Sequence, residues 1–442
     1  MHPVLFKIPL PHWVLPLGPT LFALAALGLC LAIFGRQKRA LDLLVIGLLL
    51  LVSGTWGGFA FRGQRFALEA LPIYSYGAML CASILVGWFL TLGLGVRDGM
   101  PRELLANCYF ATAIAALLGS RVLYVLTNLS EFRSLSDVLA VRSGGLVAYG
   151  GFLGGFAGSV WYLRRRGAAL LPWADVAVPS LGSGLLLTRI GCYLFGCDFG
   201  KPLSSTAPAW LKRLGTFPRW PSDLLDGAGS PAWMQHVNER GLSMTSPNSL
   251  PVHPTELYES LVGAALLVLT LAVRRRQSFR GQVFLSFTFA YGYLRFLLEI
   301  VRDDSERGLF GPALRQDALV PLLLLVFAAG FSYGPARSIA SRLARRASLA
   351  LALAAPAFAY LCLHPTHSAS VSRVQLSTSQ WISLATALTA AYFWHQQSLS
   401  PEPEPGVGGL AFAAVPASAA AAVRAPSHSP PNKKSKRAKK RR

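Results

Sequence analysis

The chain has 442 residues, 53% of them hydrophobic and only 14% charged, a balance that excludes an ordinary soluble protein of this length. Its formal net charge of +22 raises nucleic acid as a partner, but eight of the basic residues lie in Lys433–Arg442 and most others in short clusters directly after apolar runs. That is the distribution of cytoplasmic loops, so no nucleic-acid partner is expected. The six cysteines lack CxxC spacing, which argues against a metal site, and Cys192 and Cys197 are expected on different helix faces.

In chain order, apolar runs predict helices over residues 19–34, 41–61, 73–94, 104–126, 144–163, 170–195, 256–273, 282–301, 318–332, 347–363 and 376–394. With the N-terminus outside and strict alternation, the clusters Arg36/Lys38/Arg39, Arg164–Arg166, Arg274–Arg276 with Arg280, and Arg337/Arg342/Arg345/Arg346 all fall on one side. The expectation is an all-α polytopic integral membrane protein with about eleven transmembrane helices. Residues 1–70 supply two extra N-terminal helices, 71–333 a seven-helix core, 334–400 two extra C-terminal helices, and 401–442 a disordered basic cytoplasmic tail. The segment 196–252, rich in Pro, Ser, Gly and Trp, forms an external cap on the core.

Ionisable groups inside membrane helices are costly, so each is a functional candidate. Arg121, Arg189 and Arg295 each sit about five or six residues from an outer helix end, roughly 8 to 9 Å deep at 1.5 Å per residue. Tyr76, Tyr149 and His253 enter at similar depth, with Glu256 and Glu259 just below His253. Tyr291, Arg295 and Glu299 share one helical stripe at i, i+4 and i+8. Three arginines against few deep acids leave spare positive charge, which an anionic ligand would satisfy; internal salt bridges are the structural alternative, and Arg121 is the first candidate for it. In GGLVAYGGFLGG the glycines Gly144, Gly145 and Gly150 permit close approach of a ligand or, through GxxxG spacing, of another helix. Pro254 at a first helical position leaves a helix N-terminus at the outer surface.

Six segments, in order and spacing, resemble the prolipoprotein diacylglyceryl transferase family: IYSYGAML, GSRVLYVL, GGLVAYGG, RIGCYLFGCDFG, HPTELYES and YGYLRFLLEIVRDD. The resemblance spans roughly residues 71–332. It implies transfer of the sn-1,2-diacylglyceryl group of phosphatidylglycerol to the lipobox cysteine of prolipoprotein signal peptides, releasing glycerol phosphate, in the bacterial inner membrane with the site toward the periplasmic leaflet. It also implies that Arg189 binds the lipid phosphate, with Arg295 a second essential arginine, Tyr291 its helix partner, Tyr76 at the opening of the family's first helix, and Gly200 closing the arginine motif. Tyr149, Cys192 and Cys197 depart from the family, where histidine, asparagine and glutamate are common.

Such chemistry needs a thiolate nucleophile and stabilisation of a leaving phosphate, and it requires no metal or cofactor. For Tyr149 three roles stay open: phenolate base, hydroxyl donor to the lipid, or packing beside the glycines. Membrane lipids and the two substrates are the expected partners. The competing classes are a transporter or flippase of an anionic lipid, and an inactive lipid-binding paralogue.

Overall fold

A computed structural model describes residues 3–38, 41–63, 65–132, 145–220, 229–303, 308–363 and 373–399. Gly144 and the basic tail lie outside the described residues. Among those described the elements run β1 Val4–Pro16, α1 Leu17–Lys38, α2 Leu41–Ala60, β2 Arg65–Tyr74, α3 Ser75–Arg97, α4 Arg102–Thr127, α5 Ala148–Arg165, α6 Leu170–Phe195, α7 Ala209–Leu214, α8 Pro231–Arg240, α9 Thr255–Arg274, α10 Gln282–Val301, β3 Leu309–Arg315, α11 Gln316–Tyr333, α12 Arg342–Leu363, β4 Arg373–Ser377 and α13 Thr378–Leu399.

Each of the eleven expected helices is present, its ends shifted by a few residues. Eight are long and apolar enough to cross a membrane: α1, α3, α4, α6, α9, α10, α11 and α12. In α2 the apolar stretch is shorter, Ile46–Ala60. The fold is therefore an all-α polytopic membrane protein with two small antiparallel strand pairs, β1 with β2 and β3 with β4. The strands were not expected from the sequence, because β1 carries Pro3-flanked, proline-broken apolar residues and its register slips between Pro9 and Trp13.

The chain divides into two compact units. The first comprises Met1–Met79, Gly191–Cys197 and Phe217–Leu250. Here α1 and α2 meet along small residues: a Cβ on Gly54 would lie 2.7 Å from the Ala25 nitrogen, and one on Gly28 2.5 Å from the Leu51 nitrogen. The Trp-rich part of the cap segment has its own small core. Ser230 caps α8 through the Trp233 amide, Trp233 Nε1 donates to the Ser246 carbonyl at 2.9 Å, and Phe217 is fully buried.

The second unit comprises Leu80–Ile190, Asp198–Thr216 and Pro251–Arg442. Its long-range ties respect the helix alternation read from the charges. The C-terminal Arg274 of α9 pairs with Asp98, just past the end of α3. Asp175, near the start of α6, accepts from the Gly281 and Phe284 amides at 2.6 and 3.0 Å and from Gln277 Nε2, capping the start of α10. At the other helix ends, Tyr149 in the first turn of α5 reaches Ser379 in the first turn of α13. Helices that should start on one side have their starts together.

Between α4 and α5, Gly150 faces the Gly119 carbonyl, Gly154 the Ala115 carbonyl and Gly158 the Ala115 side chain, so the GxxxG spacing is used for helix packing. Gly154→Leu is expected to lower the thermal midpoint of the purified protein sharply, because its Cβ would enter the Ala115 carbonyl. Gly184→Ala, where nothing lies within 4 Å of the new methyl, should leave the midpoint unchanged or raise it. A thermal scan in detergent reads both, and equal losses would contradict the packing described.

Candidate active site: a buried arginine and carboxylate network

The site is built from the end of α6, the turn after it, the start of α9 and the last turns of α10. Arg189 Nε donates to Glu259 Oε2 at 2.9 Å and its Nη1 to Asp198 Oδ2 at 2.6 Å. Arg295 Nη1 donates to the other oxygen of Glu259 at 3.0 Å, and its Nη2 lies 3.4 Å from Glu299 Oε2, as the i, i+4 spacing expects. Arg302 Nη2 donates to Asp198 Oδ1 at 2.7 Å and sits 4.0 Å from both Glu259 and Glu299. Glu259 and Glu299 are 2% and 1% exposed, too little for any solvent compensation of an unpaired charge.

Among the described residues this network pairs three arginines with three carboxylates. The spare positive charge expected at Arg189 and Arg295 is therefore not found within this network. Depth along the helices revealed the arginines but not that Asp198, in a turn, would reach back to Arg189. Arg121 sits apart from the network, donating to the Gly145 carbonyl at 3.0 Å with Phe132 stacked 5.3 Å from its guanidinium. That contact ties α4 to the segment leading into α5. Gly145 at φ +79 has no room for a side chain beside Tyr124 and Arg121. Gly150, counted with the ligand-facing glycines, is buried against Gly119, and its contact surface is a helix.

Gly200 stands beside the network at a close backbone approach. A Cβ there would lie 2.6 Å from the Val301 carbonyl and 2.8 Å from the His253 and Thr255 side chains. The glycine lets Asp198–Pro202 thread between two neighbours, with Gly200 N donating to His253 O and Lys201 N to Val301 O. Thr255 Oγ1 donates to the Asp198 carbonyl at 2.6 Å. Asp198 itself is held at φ +63, the one non-glycine residue at positive φ among those described, so backbone strain is concentrated in a network residue.

Tyr291 lies within electrostatic reach of Glu259, Arg295, Arg189 and Tyr149, and its ring stacks on Phe287. Tyr149 donates its hydroxyl proton to Ser379 Oγ at 2.8 Å. His253 faces Tyr258 with Nδ1 at 3.3 Å from the phenol; burial and then the nearby Lys201 lower its pKa, keeping it neutral near pH 7. Glu256 is fully buried in the first turn of α9. In the first unit, Tyr76 packs over Gly191, 3.2 Å from a Cβ built there. Cys192 and Cys197, expected on different helix faces, bring their sulfurs within 4.8 Å because the chain leaves the helix at Gly196, φ +85; neither is in a disulfide.

Two network residues were missed. Arg302 follows Arg295 and Glu299 at i+7 and i+3, so the same stripe that yields Glu299 also yields it. Asp198 had no such signal.

Fold and site together define a polytopic helical membrane protein whose core encloses an arginine–carboxylate network at the ends of three helices. The sequence model described as prolipoprotein diacylglyceryl transferase matches residues 64–334, and the chain belongs to that family. Proteins named phosphatidylglycerol–prolipoprotein diacylglyceryl transferase are similar to it. That of Clostridium tetani is 26% identical over 241 residues, 54% of this chain and 85% of the relative. That of Bacillus anthracis is 27% identical over 239 residues, 54% and 80%. That of Geobacillus kaustophilus is 29% identical over 260 residues, 59% and 87%. The matched region contains the whole network; α1, α2, α12 and α13 lie outside it.

Partial burial raises the Asp198 carboxyl, but Arg189, Arg302 and Arg295 more than offset it and hold it at about 2, below its ordinary 3.8. A depressed carboxylate contributes stability that is complete above its unfolded pKa and lost as pH falls through its folded one. Wild type should therefore exceed Asp198→Asn in thermal midpoint at pH 7, with the gap closing from about pH 4 to about pH 2. A gap that stays constant across that window would mean the clamp does not stabilise the fold.

Proposed function

We propose that this enzyme transfers the sn-1,2-diacylglyceryl group of phosphatidylglycerol to the lipobox cysteine thiol of prolipoproteins. The observation that carries the reading is the buried network of Arg189, Arg295 and Arg302 with Asp198, Glu259 and Glu299, inside the region matched by the family. In this reading the cysteine sulfur attacks the glyceryl carbon that bears the phosphate. The carbon–oxygen bond breaks, a thioether forms, and the phosphodiester monoanion leaves as glycerol phosphate with added negative charge.

Arg189 and Arg295 bind and stabilise that leaving phosphate. Guanidiniums suit the task because they offer planar, paired donors already ordered by carboxylates. Glu259 holds the two arginines by one oxygen each, and Asp198 acts as the exchangeable partner, the lipid phosphate taking its place on Arg189 or Arg302. Asp198 also restores, one residue along, the carboxylate that the departure at Cys197 removes. Tyr291 and Tyr149 line the same site, Gly200 shapes its approach, Tyr76 contributes to lipid binding, and neutral His253 is an acceptor for the thiol proton.

Residues 71–333 form the transferase core. Its place is the bacterial inner membrane, with the basic clusters and the 401–442 tail cytoplasmic and the network in the periplasmic leaflet, where donor lipid and signal peptide meet. No cofactor enters this scheme.

Purified protein given phosphatidylglycerol and a lipobox peptide should yield a diacylglyceryl peptide by mass spectrometry, and none when the peptide cysteine is replaced by serine. Lipid binding without product would leave a lipid-binding paralogue. Arg189→Ala should reduce turnover by about 100- to 1,000-fold in a protein that still inserts and folds. Arg295→Ala should do likewise, with Arg295→Lys only a partial rescue, since a point charge cannot reproduce a planar fork. Near-wild-type turnover in either alanine variant removes that arginine from the mechanism.

A further inference from the structure

The last helix among the described residues, α13, lies outside the family-matched residues, yet it packs on the helix that carries Arg295. A Cβ on Gly292 of α10 would stand 2.7 Å from the Ser383 carbonyl and 3.1 Å from the Ala387 methyl, so the two backbones are in direct contact. Ala387, Ala390, Ala391 and Trp394 of α13 share a buried cluster with Phe289 and Phe296 of α10. The helix is part of the core of this unit.

Its first turn is fixed more tightly than packing alone requires. Ser377 and Gln380 cap each other reciprocally: the Ser377 amide donates to Gln380 Oε1 at 3.0 Å and the Gln380 amide to Ser377 Oγ at 3.2 Å. The Thr378 amide donates to the Gly308 carbonyl at 2.7 Å and Trp381 Nε1 to the Phe310 carbonyl at 3.0 Å, tying the turn to the segment that follows α10. Between these anchors stands Ser379, which accepts the hydroxyl proton of Tyr149 at 2.8 Å. Tyr149 in turn is within electrostatic reach of Tyr291, which reaches Glu259, Arg189 and Arg295.

We propose that Ser379 is a positioning residue for the transferase site, contributed by a helix outside the family core, which fixes the phenol of Tyr149 against α10. The proposal rests on the transfer reading given above. Because the single phenolic proton is committed to Ser379, the Tyr149 oxygen is left as a hydrogen-bond acceptor, and the histidine common at this position is replaced by a tyrosine–serine pair. A loosened phenol disorders the transition state more than it weakens lipid binding.

The test is a double-mutant cycle on the full-length purified protein, reading kcat and KM for phosphatidylglycerol with a lipobox peptide. Ser379→Ala is expected to lower kcat about 10-fold with KM and thermal midpoint little changed. Ser379→Thr, which keeps the hydroxyl, should restore it. Combined with Tyr149→Phe it should cost no more than Tyr149→Phe alone, because both remove one interaction. Unchanged kcat in Ser379→Ala, losses that multiply in the double variant, or a loss that merely follows a fallen midpoint would overturn the proposal. Binding of phosphatidylglycerol by the same four proteins, read by native mass spectrometry, separates this idea from the function on which it rests. A wild type that binds the lipid but makes no thioether sinks the transfer reading and with it the role of Ser379 that rests on it. A wild type that transfers while the losses multiply sinks Ser379 alone, and one that neither binds nor transfers sinks both.

Discussion

Glu259 stands between two guanidiniums, one oxygen on Arg189 and the other on Arg295, and it is almost wholly removed from solvent. A carboxylate or a guanidinium alone at that depth would cost several kcal/mol, so neither arginine nor the glutamate is tolerable without the others. The remaining members follow from the same constraint. Arg189 has a second face to satisfy, and Asp198 meets it by adopting a left-handed backbone. Asp198 then offers its other oxygen to Arg302, whose neighbour Glu299 closes the circuit back to Arg295.

A network of this kind demands that three helix backbones be placed to within a fraction of a residue, and the surrounding contacts supply that precision. α6 and α9 approach so closely that a Cβ on Gly182 would touch the Leu267 nitrogen at 2.9 Å, while Ser260, next to Glu259, donates to the Leu186 carbonyl at 2.8 Å. That contact sets Arg189 opposite Glu259. α10 is gripped at its start by the buried carboxylate of Asp175 and along its length by α13 through Gly292. Its stripe of Tyr291, Arg295 and Glu299 cannot rotate away without breaking one of them.

How much of this could be read in the sequence follows the range of the interaction. The helices were legible because a bilayer imposes length and apolarity on every crossing, and the tie between Arg274 and Asp98 agrees with the alternation read from charge. Glu299 was legible by local period, and Arg302 would have been by the same period taken one turn further. The proline-broken strand pairs gave no period of two. Asp198 was hidden because nothing local announces that a chain will turn at Gly196 and send a carboxylate back to a helix it has left. The bond from Tyr149 to Ser379 spans 230 positions, and only the packing of α13 on α10 brings its ends together.

The even pairing of charges in the network also constrains how an anion can be received. A phosphodiester entering a site with spare arginines would simply be attracted; entering this one, it has to replace a carboxylate or make the network net negative. Asp198 is the member suited to yield. At 31% side-chain exposure it is the most solvated of the three acids, and its backbone is strained where Glu259 and Glu299 sit in relaxed helix. Water can take up the displaced carboxylate there at small cost, which is not so for the two glutamates. In the proposed reading the same exchange favours release: once the product carries extra charge, the returning carboxylate competes for guanidiniums that are already ordered. In the proposed cycle the arginines hold one geometry while the anion on them changes, which is the preorganisation that electrostatic stabilisation of a leaving phosphate requires.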